Sequence, residues 1–195
     1  GKKELVDPFV VVAIRRLSSA ADAIELLTTV AKARGVEPGQ IPRVLFIGNV
    51  EDGAYNTIVE NVNRGRIDAV IIKTPPMFGE MGKQLLEDIA LYAGCQPITE
   101  GTALRNVDGS FVGSVDKVVA SKQDATLFAD NATEAVTTRV QEIKDQIEVE
   151  TVDAISEKLK DRVAKLEGKI ALFRIGGATD SVKEEVEYRV EDAIN

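Results

Sequence analysis

The sequence contains no histidine. Imidazole is the base of Ser-His-Asp and Cys-His catalysis and a ligand in most zinc sites, so those classes are removed at once. Cysteine is almost as scarce: Cys95 stands alone and cannot close an internal disulfide. Nothing therefore points to an oxidising compartment, and a cytoplasmic setting is expected. Positive charge is in deficit, with 24 Lys and Arg against 32 Asp and Glu and a net charge of -8. A phosphate backbone is bound through clustered positive charge, so nucleic acid is not an expected partner. No apolar run approaches the roughly 20 residues that cross a bilayer, and Gly1-Lys2-Lys3-Glu4-Leu5 lacks the apolar stretch of a signal peptide. A soluble chain with no membrane partner is the expectation.

What is present suffices for a packed core. The 195 residues are 44% hydrophobic, enough for one domain or one domain with an appendage. Phe9 to Ile14 is a short apolar run after Asp7-Pro8 and reads as a buried strand. Ser19 with Asp22 resembles a capping box and Gly35 supplies a stop, which predicts a helix over residues 19–34. The run Val44-Leu45-Phe46-Ile47 predicts a strand, residues 52–64 a helix closed by Gly65, Ala69-Val70-Ile71-Ile72 a strand, and Gly82 to Ala93 a helix ended at Gly94. Pro97 to Leu127 reads as β-rich, with turns at Asp108-Gly109 and Gly113.

Asn131 followed by Glu134 predicts the cap of a long helix through Val149, and a charged helix follows from Asp153 to Leu166, ended by Gly168. Ile170 to Ile175 predicts a strand, and Ser181-Val182-Lys183-Glu184 a capping box for a last helix still running at Asn195. A strand and an amphipathic helix with nothing after them to cover them read as part of a longer chain. The carboxylates are spread along helix faces as a solvated surface rather than gathered around turns.

The first two helices carry more apolar surface than a sheet can bury. Ala23, Leu26, Val30 and Ala33 make one stripe on the first, and Ile24, Leu27 and Ala31 a second. On the next helix Ala54, Ile58 and Val62 form one stripe, with Tyr55 and Val59 beside it. Two readings stand: other elements of the same domain cover both stripes, or the two helices share an exposed apolar groove that takes segments of other chains.

Extended stretches of the sequence resemble a known family. Asp7-Pro8-Phe9, Val30-Ala31-Lys32-Ala33, Val50-Glu51-Asp52-Gly53, Asn61 with Arg64-Gly65, and Lys73-Thr74-Pro75-Pro76-Met77-Phe78-Gly79 are similar to the group I chaperonins, the GroEL family. So are Arg139-Val140 through Ile143, Arg162-Val163-Ala164-Lys165-Leu166, Gly176-Gly177-Ala178-Thr179 and Arg189-Val190-Glu191-Asp192-Ala193, so that the resemblance runs from Asp7 to Asn195. It implies an α/β fold, the swivelling β/β/α apical domain with flanking helices, over residues 1–168, and a partial intermediate domain over 169–195.

It further implies capture of non-native polypeptides and of the co-chaperonin mobile loop in the apolar groove, in support of ATP-dependent folding by the intact chaperonin. By position, Ile24, Leu27, Tyr55 and Val59 would bind, with Glu60 and Asn61 beside them. Gly168 and Lys169 fall at the hinge. Asp192 matches the acid that assists ATP hydrolysis, but the equatorial domain that holds ATP and magnesium has no counterpart in these residues. No cofactor and no enzymatic activity are expected of the chain itself, which would be monomeric, whereas the intact protein would form homo-oligomeric rings.

Some positions depart from the family pattern. Glu60 stands where an aliphatic residue is usual, Tyr55 replaces a leucine-like one, Asn63 lies where Met is common, and Lys169 replaces the second of two hinge glycines. A more polar groove and a stiffer hinge are the corresponding expectations. Two rival functions differ in class: a small α/β enzyme would show a concave polar pocket with converging titratable groups, and a module for one partner would show narrow selectivity. Arg174 to Thr179 lacks the spacing and the Lys-Ser/Thr ending of a P-loop. Cys95 has neither a histidine nor a basic cluster in the adjoining sequence to activate it.

Overall fold

The computed structural model describes residues 2–73, 80–122, 124–130, 133–173 and 187–190. Strand β1 (Lys3–Val6) turns a corner at Asp7, whose φ is 51°, and β2 (Phe9–Leu17) leaves it in a different sheet. The Asp7 N–H donates to the Asp116 carbonyl at 2.8 Å and fixes that corner. The chain continues through α1 (Ala20–Ala33), β3 (Arg43–Val50), α2 (Asp52–Asn63), β4 (Asp68–Lys73) and α3 (Glu80–Ala93). Strands β2, β3 and β4 pair in parallel, which is why a helix separates each from the next. Both faces of these strands are covered, and this accounts for their unbroken apolar runs.

The two-residue period of a strand divides these side chains between two cores. Val11, Phe46 and Ile71 pack with Ala23, Leu26 and Val30 of α1 and Ala54, Ile58 and Val62 of α2. Val10, Val12, Leu45, Ile47, Val70 and Ile72 point the other way, into a cluster with Ile89 and Ala90 of α3. Gly48 makes the β2–β3 contact possible: its φ is 121°, and a Cβ there would overlap the Ala13 carbonyl.

After α3 come two 3-10 turns, Leu104–Asn106 and Gly109–Phe111, then β5 (Gly113–Ser114), β6 (Lys117–Ala120) and β7 (Asp124–Phe128). The stretch expected to be β-rich from Pro97 thus forms strands only from Gly113 onward. Upstream, Asp108 accepts from the Ser110 N–H at 2.9 Å, which favours a turn, and a single bridge joins Ile98 to Ala13. Helices α4 (Glu134–Val149) and α5 (Asp153–Glu167), and strands β8 (Ile170–Phe173) and β9 (Glu187–Val190), follow among the described residues. One sheet runs β5-β2-β3-β4-β9, and the second, β1-β6-β7-β8, is antiparallel throughout.

Two expectations need correction. Thr133, not Asn131, caps α4, its hydroxyl accepting from the Val136 N–H at 3.2 Å; Asn131 lies outside the described residues. The predicted last helix is not what Glu187–Val190 forms: those residues are a strand, antiparallel to β4. Glu187-Tyr188-Arg189-Val190 alternates polar and apolar, a pattern that a sheet edge accommodates. Ser181 to Glu184, Gly176-Gly177 and Asp192 lie outside the described residues. Strand β1 gave no sequence signal, because it is short and buries only Leu5.

Helices α3, α4 and α5 meet at one carboxylate. Asp88 of α3 is 6% exposed. It accepts from Arg139 of α4 at 2.9 Å and from Arg162 of α5 at 2.6 and 3.1 Å. Charge-assisted bonds of this kind fix relative positions as well as adding energy.

Candidate functional site

Helices α1 and α2 start side by side. Ser19 caps α1, its hydroxyl accepting from the Asp22 N–H at 3.0 Å. The Ala54 N–H donates to the Ser18 carbonyl at 3.2 Å and the Glu51 N–H to the Leu17 carbonyl at 2.9 Å, so the two N-termini are tied through the backbone. Gly53 permits this approach, since a Cβ on it would lie 3.2 Å from both the Ala20 nitrogen and the Ser18 carbonyl oxygen. Arg16 braces the entry to α2 with bonds to Glu51 at 2.6 Å and Asp52 at 3.2 Å. The sequence marks this joint only by a glycine in the first turn of a helix.

Of the inner stripes, Ala23, Leu26 and Val30 on one helix and Ala54, Ile58 and Val62 on the other are buried, and Ala33 is partly buried against the same core. The second stripes divide. Ile24 is 57% exposed, whereas Leu27 and Val59 are half-buried against the core beneath the helices. Tyr55 is 8% exposed and belongs to that core, so it offers an incoming chain little surface. The structure therefore brings together a narrower apolar strip than four open side chains would make.

Polar groups along the strip are largely satisfied internally. The Thr28 hydroxyl donates to the Ile24 carbonyl at 2.8 Å and the Thr57 hydroxyl to the Gly53 carbonyl at 2.7 Å. Asn61 turns its amide back to the Thr57 carbonyl at 2.8 Å. Glu60 pairs with Arg64 one turn on at 2.6 Å, with both side chains 56% exposed. An exposed pair adds about 0.3–0.5 kcal/mol to a helix, yet it sets a cation beside the carboxylate and moderates the acidic rim expected from Glu60.

At the expected hinge, Gly168 is the C-cap of α5, and its carbonyl lies 3.1 Å from the Tyr92 hydroxyl. Lys169 places its ammonium 5.6 Å from the centre of the Phe128 ring. Both residues thus contact the domain beside them.

A cavity of about 270 Å³ that the sequence did not reveal lies between α3 and α5, lined by Leu85, Ile89, Ile155, Leu159, Leu166 and Ile170, with Asp88 and Arg162 among its polar groups. Asp88 is already held by two guanidinium groups. Among the described residues no cluster of acidic or cysteine side chains could hold a metal ion, and no helix is long and apolar enough to cross a membrane.

No family model matches the chain. Solved structures do. The chaperonin gp146 from the bacteriophage EL 2 (Pseudomonas aeruginosa), crystallised with ATP-BeFx, aligns over 94% of this chain with a TM-score of 0.65 and 20% identity. A second crystal form of the same protein aligns over 95% with a TM-score of 0.61 and 18% identity. In both comparisons the chain spans 36% of the length of the larger protein. The two sheets and five helices described above are accordingly the fold of a segment of a chaperonin chain.

Proposed function

We propose that this chain is the apical domain of a chaperonin, with the opening of the intermediate domain after Gly168, and that it captures non-native polypeptides between α1 and α2. The observation that carries this reading is Ile24, an isoleucine more than half exposed beside half-buried Leu27 and Val59, on two helices whose starts are fixed together. Covering one such side chain gains about 1.5–3 kcal/mol at most. A strip of three therefore supports weak, sequence-tolerant attachment once ordering costs are subtracted. The mobile loop of a co-chaperonin would compete for the same strip, with Asn61 and the Glu60–Arg64 pair at its edge.

In the intact protein, ATP and magnesium would bind outside these residues, Asp192 would assist hydrolysis, and Gly168 and Lys169 would carry the swing between domains. Cytoplasmic, ring-forming homo-oligomers belong to the same proposal. The chain itself would bind without catalysing.

The test is fluorescence anisotropy of a labelled apolar, strand-forming peptide titrated with the wild-type chain and with a Leu27→Glu/Val59→Glu variant shown by circular dichroism to be folded. Saturable micromolar binding, lost in the variant, is the expected result. Binding indifferent to both substitutions, or no binding, would remove the site.

A further inference from the structure

Among the described residues, the large apolar side chains that stand exposed are Val6, Ile24, Ile41, Val149, Val152 and Ile155. The last three lie at the turn that joins α4 to α5, and Val149 is the most exposed of all at 79%. Val152, Ile155 and Leu159 follow at i, i+3 and i+7 and make one stripe. Ile155 and Leu159 also line the cavity of about 270 Å³ between α3 and α5, so the stripe runs from the turn into a recess. Arg162 and Lys165 in its lining are already paired with Asp88 and Asp161.

The turn is built against the ordinary preferences of helix ends. Valine is among the poorest N-cap residues, yet Val152 caps α5 and makes no side-chain bond there. A helix C-terminus favours cations, yet the last turn of α4 has no basic residue and carries Glu148, with Glu150 as the C-cap. The Glu150 carboxylate accepts from the Thr151 and Val152 N–H groups at 3.0 and 3.1 Å, which holds it at the turn. Residues 145–157 include Asp145, Glu148, Glu150, Asp153 and Glu157 but no Lys or Arg. An occupant that is apolar along the stripe and cationic around it complements all of these features at once.

A small apolar patch ringed by carboxylates differs from the larger, less charged contacts of permanent partners, and suits an occupant that comes and goes. We propose that the α4–α5 turn and the adjoining recess dock a separate polypeptide, in the form of a basic amphipathic helix that places one apolar side chain in the recess. The same carboxylates disfavour a second copy of this chain, whose net charge is -8.

The probe is a fluorescein-labelled peptide of about 18 residues, long enough to hold a helix. It is made of Leu, Lys and Ala, with the leucines on one face and the lysines flanking them. A second form carries Glu in place of every Lys. Titrations use a Leu27→Ser/Val59→Ser background, which disables the α1–α2 strip without changing charge, so the result does not depend on polypeptide capture there. Saturable binding of the lysine peptide is expected, and a further Val149→Ser/Ile155→Ser change should weaken it about tenfold. Glu148→Gln/Asp153→Asn should weaken it about fivefold at low salt and less at high salt. The glutamate peptide should not bind. In the wild-type chain the lysine peptide should slow amide hydrogen exchange across residues 150–157, a readout that needs no variant to fold. Equal binding by the serine variant would reduce the contact to attraction between opposite charges and overturn the proposal. Equal binding of the two peptides, no saturable binding, unchanged exchange, or self-association of the wild type that Val149→Ser/Ile155→Ser abolishes would overturn it too.

Discussion

Cys95 shows how burial decides what a residue can do. Desolvation pushes its thiol up to about 11 from an ordinary 9, against the opposing effects of a hydrogen bond with the Gly113 backbone and the charge of Arg34. The folded state therefore holds the proton more tightly than the unfolded state. The stability this contributes is fully present below pH 9 and is lost as the pH rises towards 11. At pH 8 a disulfide reagent is expected to react with folded Cys95 at least about tenfold more slowly than with the chain unfolded in urea. Equal rates in the two states would show that the thiol is not shielded. Tyr92 shifts in the same direction, raised chiefly by desolvation against a hydrogen bond from the Ala129 N–H. Tyr55 was readable as an apolar position on α2, but its burial depends on core residues of other elements, which helical periodicity does not locate. The Glu60–Arg64 pair is an i,i+4 contact, legible in the sequence once the helix is accepted.

The elements were legible in proportion to how locally they are determined. The Ser19 cap and the unbroken apolar runs placed α1 and the parallel strands, because capping and double-sided burial leave their marks within a few residues. Strand β9 was misread because its residues satisfy either period and the edge of β4 decides between them. Glycine roles divide in the same way. Gly35 has a φ of 61° with open space around its missing Cβ, whereas Gly48 combines a φ of 121° with the backbone of β2 pressed against it. Gly35→Ala is expected to cost about 1 kcal/mol. Gly48→Ala should cost about 3 kcal/mol or abolish folding, since strain and overlap add. Urea midpoints of the two variants test the difference, and similar midpoints would contradict the close β2–β3 approach.

For the molecule as a whole, Asp88 joins α3, α4 and α5 through charge, on top of the apolar cluster that the three helices share. Arg139 and Arg162 lie 51 and 74 residues away in sequence, so no spacing rule links the three. Asp88→Asn leaves two guanidinium groups without their carboxylate and is expected to destabilise the chain by about 3 kcal/mol. Urea denaturation would measure this, and peptide binding at the α1–α2 strip should be unchanged at temperatures where the variant is folded. By itself the sequence determined the classes of chemistry that a chain without histidine cannot perform, the order of strands and helices from β2 through α3, and the likeness to chaperonins. These follow from composition, local spacing and extended runs of matching residues. Only the tertiary structure decided which second-stripe side chains stay open, where β9 lies and how one carboxylate joins three helices. Those outcomes depend on which distant surfaces meet, and a contact between residues far apart leaves no trace in the local pattern of either.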